Sequence, residues 1–219
     1  MFPIGDDDSQ VRTSPIITTG LIVANVLLFL VELNGGDAFI QRWSFIPSHF
    51  AADPASNWPT IFSAMFMHGG WMHLFGNMLY LYIFGDNVEE SFGHVKFLAF
   101  YLIAGIAATF AQFYFNPHSN IPNVGASGAI AGVLGAYILL FPQARVDVLV
   151  GRMVSSMPAL VVIGFWFVLQ LFSGVGSVAR TDETADTGGV AYMAHVGGFV
   201  AGLAIALLFR GRGGPSRIA

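Results

Sequence analysis

A chain of 219 residues that is 55% hydrophobic and only 10% charged, with a mean hydropathy of +0.67, reads as a membrane protein, because an ordinary soluble domain carries roughly 25% charged residues. Apolar segments consume nearly all of a length that fits one domain, so no room is left for a separate soluble module. The net charge of -4, with no basic patch interleaved with aromatics, argues against nucleic acid as a partner, and the lack of cysteine excludes disulfides and thiolate metal sites.

In chain order, residues 1–15, "MFPIGDDDSQVRTSP", are acidic where a signal peptide would be basic. The first apolar segment is therefore expected to be retained as a membrane helix. Apolar runs near membrane length lie at Ile16 to Val31, Met72 to Phe84, Phe97 to Phe115, Ala126 to Phe141, Pro158 to Phe172 and Val190 to Phe209. The expected fold is an all-α membrane protein, a six-transmembrane-helix bundle over residues 16–209, with tails at 1–15 and 210–219. The fourth run covers only about 24 Å at a rise of 1.5 Å per residue, so this short helix should start inside the bilayer. Ahead of the second run, Asn34 to Asn57 contains "RWSFIPSHF", which has the aromatic content of an interfacial segment.

An even number of spans puts both termini on one side. Arg12, Lys96, Arg145, Arg152, Arg210, Arg212 and Arg217 fall on that side, against Arg42 and Arg180 on the other. That asymmetry makes the termini cytoplasmic. The stretch "NPHSNIPNV" before the fourth run then approaches from outside. It is rich in Pro and Asn and cannot be helical, and irregular backbone survives at membrane depth only when buried in protein or lining water. Ser127, which follows it, is expected to face a wet cavity open to the outer side.

Polar groups inside spans are functional candidates because hydrocarbon penalises them. The second run carries "HGGWMHLFGN", in which His73 and Asn77 share a helical face and His68 lies just ahead. The sixth carries "AHVGGFVAG", which sets His195 on the face of Gly198 and Gly202. Gly128, Gly132 and Gly135 form a matching small stripe on the fourth. Glycines at this spacing allow backbone-distance packing, so the fourth and sixth helices should touch and bring Ser127 within reach of His195.

Serine needs an adjacent base to become a nucleophile, and a buried neutral imidazole supplies one. No acidic residue lies near the outer half of the sixth run, so the pair reads as a dyad. The start of a short helix offers N–H donors to an oxyanion at Ser127, with His73 and Asn77 as side-chain donors. The G-x-S-G motif, Gly125 to Ser127 and Gly128, is weak by itself; its concurrence with two histidines and an asparagine is not. His94 and His118 look like loop residues, and Glu89 with Glu90 most simply forms a solvated helix end. A different enzyme class would use His68, His73 and His195 as three imidazole ligands of a zinc ion.

"HGGWMHLFGN", "GASG" and "AHVGGFVAG" together resemble the rhomboid intramembrane serine proteases, and the likeness extends over all six spans. The resemblance implies Ser127 as nucleophile and His195 as base. It implies an oxyanion site of His73, Asn77 and the Ser127 amide, with His68 and Gly125 shaping the cavity. It also implies single-span membrane proteins as substrates, with small, helix-destabilising residues near the cut, and no cofactor. "FGDNVEE" resembles the end of the family's second helix, where Glu89 would have a structural role. The implied location is the bacterial plasma membrane. Two departures stand out: "NWPT" where many members have Trp-Arg, and Ala131 where many have an aromatic residue stacking under the histidine. A rhomboid-like pseudoenzyme that binds membrane segments is the non-catalytic alternative, though such relatives typically lack the serine or the histidine.

Overall fold

The computed structural model describes residues 2–179 and 191–210. Arg180, Arg212, Arg217 and the tail beyond Arg210 lie outside the described residues. The main elements are α1 (Ile16–Trp43), α2 (Trp71–Phe92), α3 (His94–Phe115), α4 (Ser127–Leu140), α5 (Ala159–Ala179) and α6 (Tyr192–Arg210). Among the described residues, α1, α3 and α6 are long and apolar enough to cross a membrane, while α4 and α5 are shorter apolar helices.

α1 continues well past Val31, because Glu32 and Asn34 do not end it; it bends at Gly36, whose φ of 58° interrupts the helical backbone. Its buried residues, Thr18, Leu21, Asn25, Phe29 and Glu32, recur every three or four positions and mark the face toward the bundle. The opposite face exposes Val23, Leu27, Leu30 and Val31, as α5 exposes Phe165, Val168, Leu169 and Phe172. Such surfaces suit lipid, not water.

Lipid tails are as apolar as leucine, so helices in a bilayer associate through close packing of small residues. α4 is the centre of that packing, with every residue from Gly128 to Tyr137 buried. A Cβ on Gly198 would lie 2.0 Å from the Gly128 carbonyl oxygen, and one on Gly202 2.0 Å from that of Gly132. A Cβ on Gly128 or Gly132 would strike Ala108 or Ala104 of α3 at 2.6 and 2.5 Å. Helices α3, α4 and α6 thus meet at backbone distance.

One end of the bundle carries a sheet for which the sequence reading has no strands. It is antiparallel, in the order β1 (Phe2–Asp6), β2 (Arg145–Val150), β3 (Met153–Pro158). Val146 and Val148 are buried and alternate with the outward Asp147, and Gly151, at φ 63°, lets the β2–β3 hairpin turn. At the same end Glu89, read as a solvated helix end, is buried instead. Its carboxylate accepts hydrogen bonds from the Ile17 and Thr18 amides and from Thr18 Oγ1, which satisfies the first turn of α1. His94, read as a loop residue, begins α3 and places Nδ1 against Glu89. Glu90 is the neighbour that stays near solvent, accepting from Thr13.

At the opposite end, short helical turns at Pro47–Ala52, Pro54–Asn57 and Thr60–Ser63 and a 3-10 turn at Ala64–Phe66 lead into α2. Phe45 exchanges backbone hydrogen bonds with Asn123 (3.1 and 2.8 Å), and its ring packs on Phe50 and Phe113. These contacts hold the segment between α1 and α2 against the loop before α4, and "NWPT" stands in that segment in place of a Trp-Arg pair.

Candidate active site

Irregular backbone leads into α4, and Ser127 is the first residue of that helix. The first backbone bond across its start runs from the Ile130 amide to the Ala126 carbonyl, at 3.0 Å. Amides in the first turn of a helix lack intrahelical partners, and the dipole there favours negative charge. The Gly125 amide donates to the Ala64 carbonyl at 2.9 Å, fixing the approach. Gly125 has φ 129°, and a Cβ there would sit 2.9 Å from Cε1 and Nε2 of His73. Both facts require glycine.

The close packing of α6 on α4 brings His195 to the serine. Ser127 Oγ lies 2.8 Å from His195 Nε2. His195 is 9% exposed and Ser127 is half-buried, so the serine has access that the histidine lacks. His195 is also held from α5, by two residues absent from the sequence-based candidates. Gln170 Oε1 is 2.7 Å from His195 Nδ1. One turn earlier on the same face, the Trp166 ring lies 5.9 Å from the imidazole at an interplanar angle of 36°. The ring is therefore not held by packing at Gly198 and Gly202 alone. Ala131, one turn along α4 from Ser127, is fully buried, and the aromatic ring near the imidazole comes from α5 instead.

His73 projects from the first turn of α2. The Gly69 amide donates to its Nδ1 at 3.3 Å, so the neutral ring carries its proton on Nε2, the nitrogen beside Gly125. Asn77, one turn on, is buried, and among the described residues its Nδ2 has no protein partner. His68 is 1% exposed and packs edge-on against His73 at 5.3 Å. Glu32 reaches this region from α1 and accepts from the His68 amide at 2.9 Å. That carboxylate holds a loop and does not meet His195.

A cavity of about 40 Å³ opens beside the serine, lined in part by Met65, Ala108, Gln112, Val124, Gly128 and Ala194. Gln112 Oε1 also accepts from the Ala194 amide at 3.3 Å, tying the start of α6 to α3. Both ring nitrogens of His195 are engaged, and among the described residues no three histidine or carboxylate side chains are grouped as metal ligands.

A serine hydroxyl, an imidazole and an unpartnered amide donor stand together at one helix end inside an apolar bundle. The Rhomboid domain family model matches residues 55–212. The chain is 31% identical to Rhomboid protease GluP of Bacillus subtilis (strain 168) over 198 residues, 88% of this chain and 35% of that protein. It is 28% identical to RHOMBOID-like protein 5 of Arabidopsis thaliana over 152 residues, 68% of this chain and 44% of that protein. With Rhomboid protein 1, mitochondrial, of Saccharomyces cerevisiae the identity is 30% over 131 residues, 58% of this chain and 37% of that protein. The chain spans less than half the length of these relatives, one of which is named as mitochondrial. Its long apolar helices make it an integral membrane protein, and the domain match across most of its sequence means that the chain belongs to the rhomboid family.

Proposed function

We propose that this rhomboid is an intramembrane serine protease that cleaves single-span membrane proteins through a Ser127–His195 dyad and an acyl-enzyme intermediate. The observation that carries the proposal is the 2.8 Å approach of Ser127 Oγ to His195 Nε2 inside an apolar bundle. Ser127 Oγ attacks the scissile carbonyl carbon as its proton passes to Nε2. The resulting oxyanion is met by the Ser127 amide, His73 Nε2–H and Asn77 Nδ2. The imidazolium then protonates the leaving amine, and the C–N bond breaks. Water enters, loses its proton to Nε2, and hydrolyses the ester to free the acid and restore Ser127. No cofactor takes part.

The tautomer of His73 and the unpartnered Nδ2 of Asn77 support the donor roles, since preorganised donors are most valuable where water is excluded. The small cavity, with Ala108, Gly128 and Ala194 among its walls, suits a small side chain next to the cleaved bond. The six helices all span, α4 entering partway, with a membrane domain at 16–209 and tails at 1–15 and 210–219 in the cytoplasm. Arg12, Lys96, Arg145 and Arg152 lie toward the sheet end, and Arg42 lies toward the serine end. On the positive-inside rule that puts the site on the outer side; the membrane proposed is a bacterial plasma membrane, a reading the likeness to the Bacillus subtilis relative supports.

The test is cleavage of a single-span reporter in proteoliposomes. Wild type should release both fragments and Ser127→Ala neither. A reporter that stays whole, or one that Ser127→Ala still cuts, would refute the proposal.

A further inference from the structure

The nucleophile is on α4 and the base on α6, yet the hydrogen-bonded chain does not end at the base. It continues from His195 Nδ1 to Gln170 Oε1 on α5, at 2.7 Å. Gln170 is a half-buried amide in the apolar run "GFWFVLQLF", where a polar group needs a partner in order to be tolerated. Trp166, four residues earlier, sets its ring 5.9 Å from the same imidazole, tilted by 36°. Thus one face of α5 supplies both a hydrogen-bonding partner and a neighbouring aromatic ring to His195.

Resting on the protease reading, we propose that Gln170 is the positioning residue of the catalytic base, holding His195 in the one neutral tautomer that can accept the serine proton. An amide oxygen only accepts hydrogen bonds. Facing Nδ1, it is satisfied when the imidazole carries its proton there, which leaves the Nε2 lone pair toward Ser127 Oγ. In the opposite tautomer Nε2–H would point at Oγ, and two acceptors would face each other at Nδ1. As the reaction forms imidazolium, Nδ1–H stays bonded to Gln170 while Nε2–H turns to the leaving amine. A carboxylate would hold the imidazolium more strongly, but it would bring a permanent charge among groups that the bilayer penalises. The neutral amide gives orientation without that cost.

Gln170→Leu removes the acceptor at similar volume. It should slow fluorophosphonate labelling of Ser127 and lower kcat by about 10- to 100-fold at near-constant KM, the range set by losing a hydrogen bond to a group that becomes charged. Gln170→Glu keeps an acceptor. It should recover much of the rate and move the acid limb of the pH–kcat profile upward, since a carboxylate favours imidazolium. Side-chain 15N spectra of His195, assigned by loss of its signals in His195→Ala, report the tautomer whether or not the protein cleaves anything. Nδ1–H should dominate in wild type and in Gln170→Glu, and both forms should be populated in Gln170→Leu. Wild-type labelling rate, pH profile and tautomer in Gln170→Leu would overturn the proposal. Should Gln170→Leu fail to fold, an unshifted acid limb in Gln170→Glu would overturn it as well. An inert wild type whose His195 is still locked by Gln170 would refute the protease reading and leave the positioning role standing.

Discussion

The two ends of the bundle bury polar groups in different ways. At the sheet end, Glu89 meets the Ile17 amide, the Thr18 amide and hydroxyl, and His94, so that its carboxylate is fully used. At the serine end, Asn77 Nδ2 and both ring nitrogens of His68 are buried without protein partners among the described residues. Leaving a buried polar group unsatisfied costs about 1–3 kcal/mol, and Asn25 Oδ1, Ser44 Oγ and the Tyr101 hydroxyl are also without partners among the described residues. What sets the serine end apart is that its unpartnered groups, on His68 and Asn77, gather beside Ser127, where chemistry is expected.

Removing either member of the dyad should have the largest effect on activity. Ser127→Ala and His195→Ala should each abolish cleavage, and the double variant should be no worse than either alone, because the two act as a unit. Assays of purified variants on one reporter would check this, and additive losses would break the pairing.

Next come changes that pry the ends apart. Gly202→Ala drives a methyl to 2.0 Å from the Gly132 carbonyl oxygen. It should lower stability by about 1–3 kcal/mol or more and disturb the serine–histidine distance along with it. Ala131→Phe should do the same, since Ala131 is fully buried and Trp166 already supports the imidazole. Thermal unfolding in detergent, read beside turnover, checks both. A stable Ala131→Phe with faster turnover would contradict the packing described above.

The contrast itself is tested by crossing readouts. His73→Ala and Asn77→Ala should lower kcat by less than the roughly 10²–10³ seen for a lone oxyanion donor, because amides at the start of α4 remain. Their Tm should barely move. Glu89→Ala should instead cost on the order of 3 kcal/mol of stability through orphaned donors, with near-normal kcat in the protein that stays folded. A collapse of kcat in folded Glu89→Ala would blur the distinction between the ends.

The smallest effect concerns β1. Burial pushes the Asp6 carboxyl up to about 8, opposed by the hydroxyl of Tyr137 that donates to it and reinforced by Asp8 and Asp86. Asn87 Nδ2 also donates to Asp6, at 3.0 Å. An acid whose pKa rises on folding contributes stability that is full below its unfolded value, near 3.8, and is lost as pH rises through about 8. The attachment of β1 should therefore weaken from about pH 4 to about pH 8, and Asp6→Asn should flatten that dependence. Melting curves across this range would show it.

Much of this was legible in the sequence, for identifiable reasons. Small residues at i, i+4 on α4 and α6 encode a close crossing, and a lone hydroxyl and a lone imidazole at its edge then have to meet. The helices lie near the apolar runs, although α1 and α2 extend further, through Glu32 and Asn34 and through Glu89. Glu32 and Glu89 turn inward to partners far along the chain, which no local pattern records, while Asn34 stays exposed and donates to the Leu30 carbonyl one turn back. Gln170 stands apart from the histidine, asparagine and glycine motifs of the other spans, so a single amide four residues after a tryptophan inside an apolar run is its available signal. The β2–β3 hairpin also left a trace in "RVDVLVGRMV", where Val alternates with Asp before a glycine turn, but six apolar runs drew the reading toward helices alone.

The most direct measurement of the central claim is labelling of the detergent-purified chain with a fluorophosphonate, with the modified residue located by mass spectrometry. The account predicts a single adduct on Ser127, formed in wild type and absent in His195→Ala. An unmodified Ser127, or equal labelling without the histidine, would contradict it.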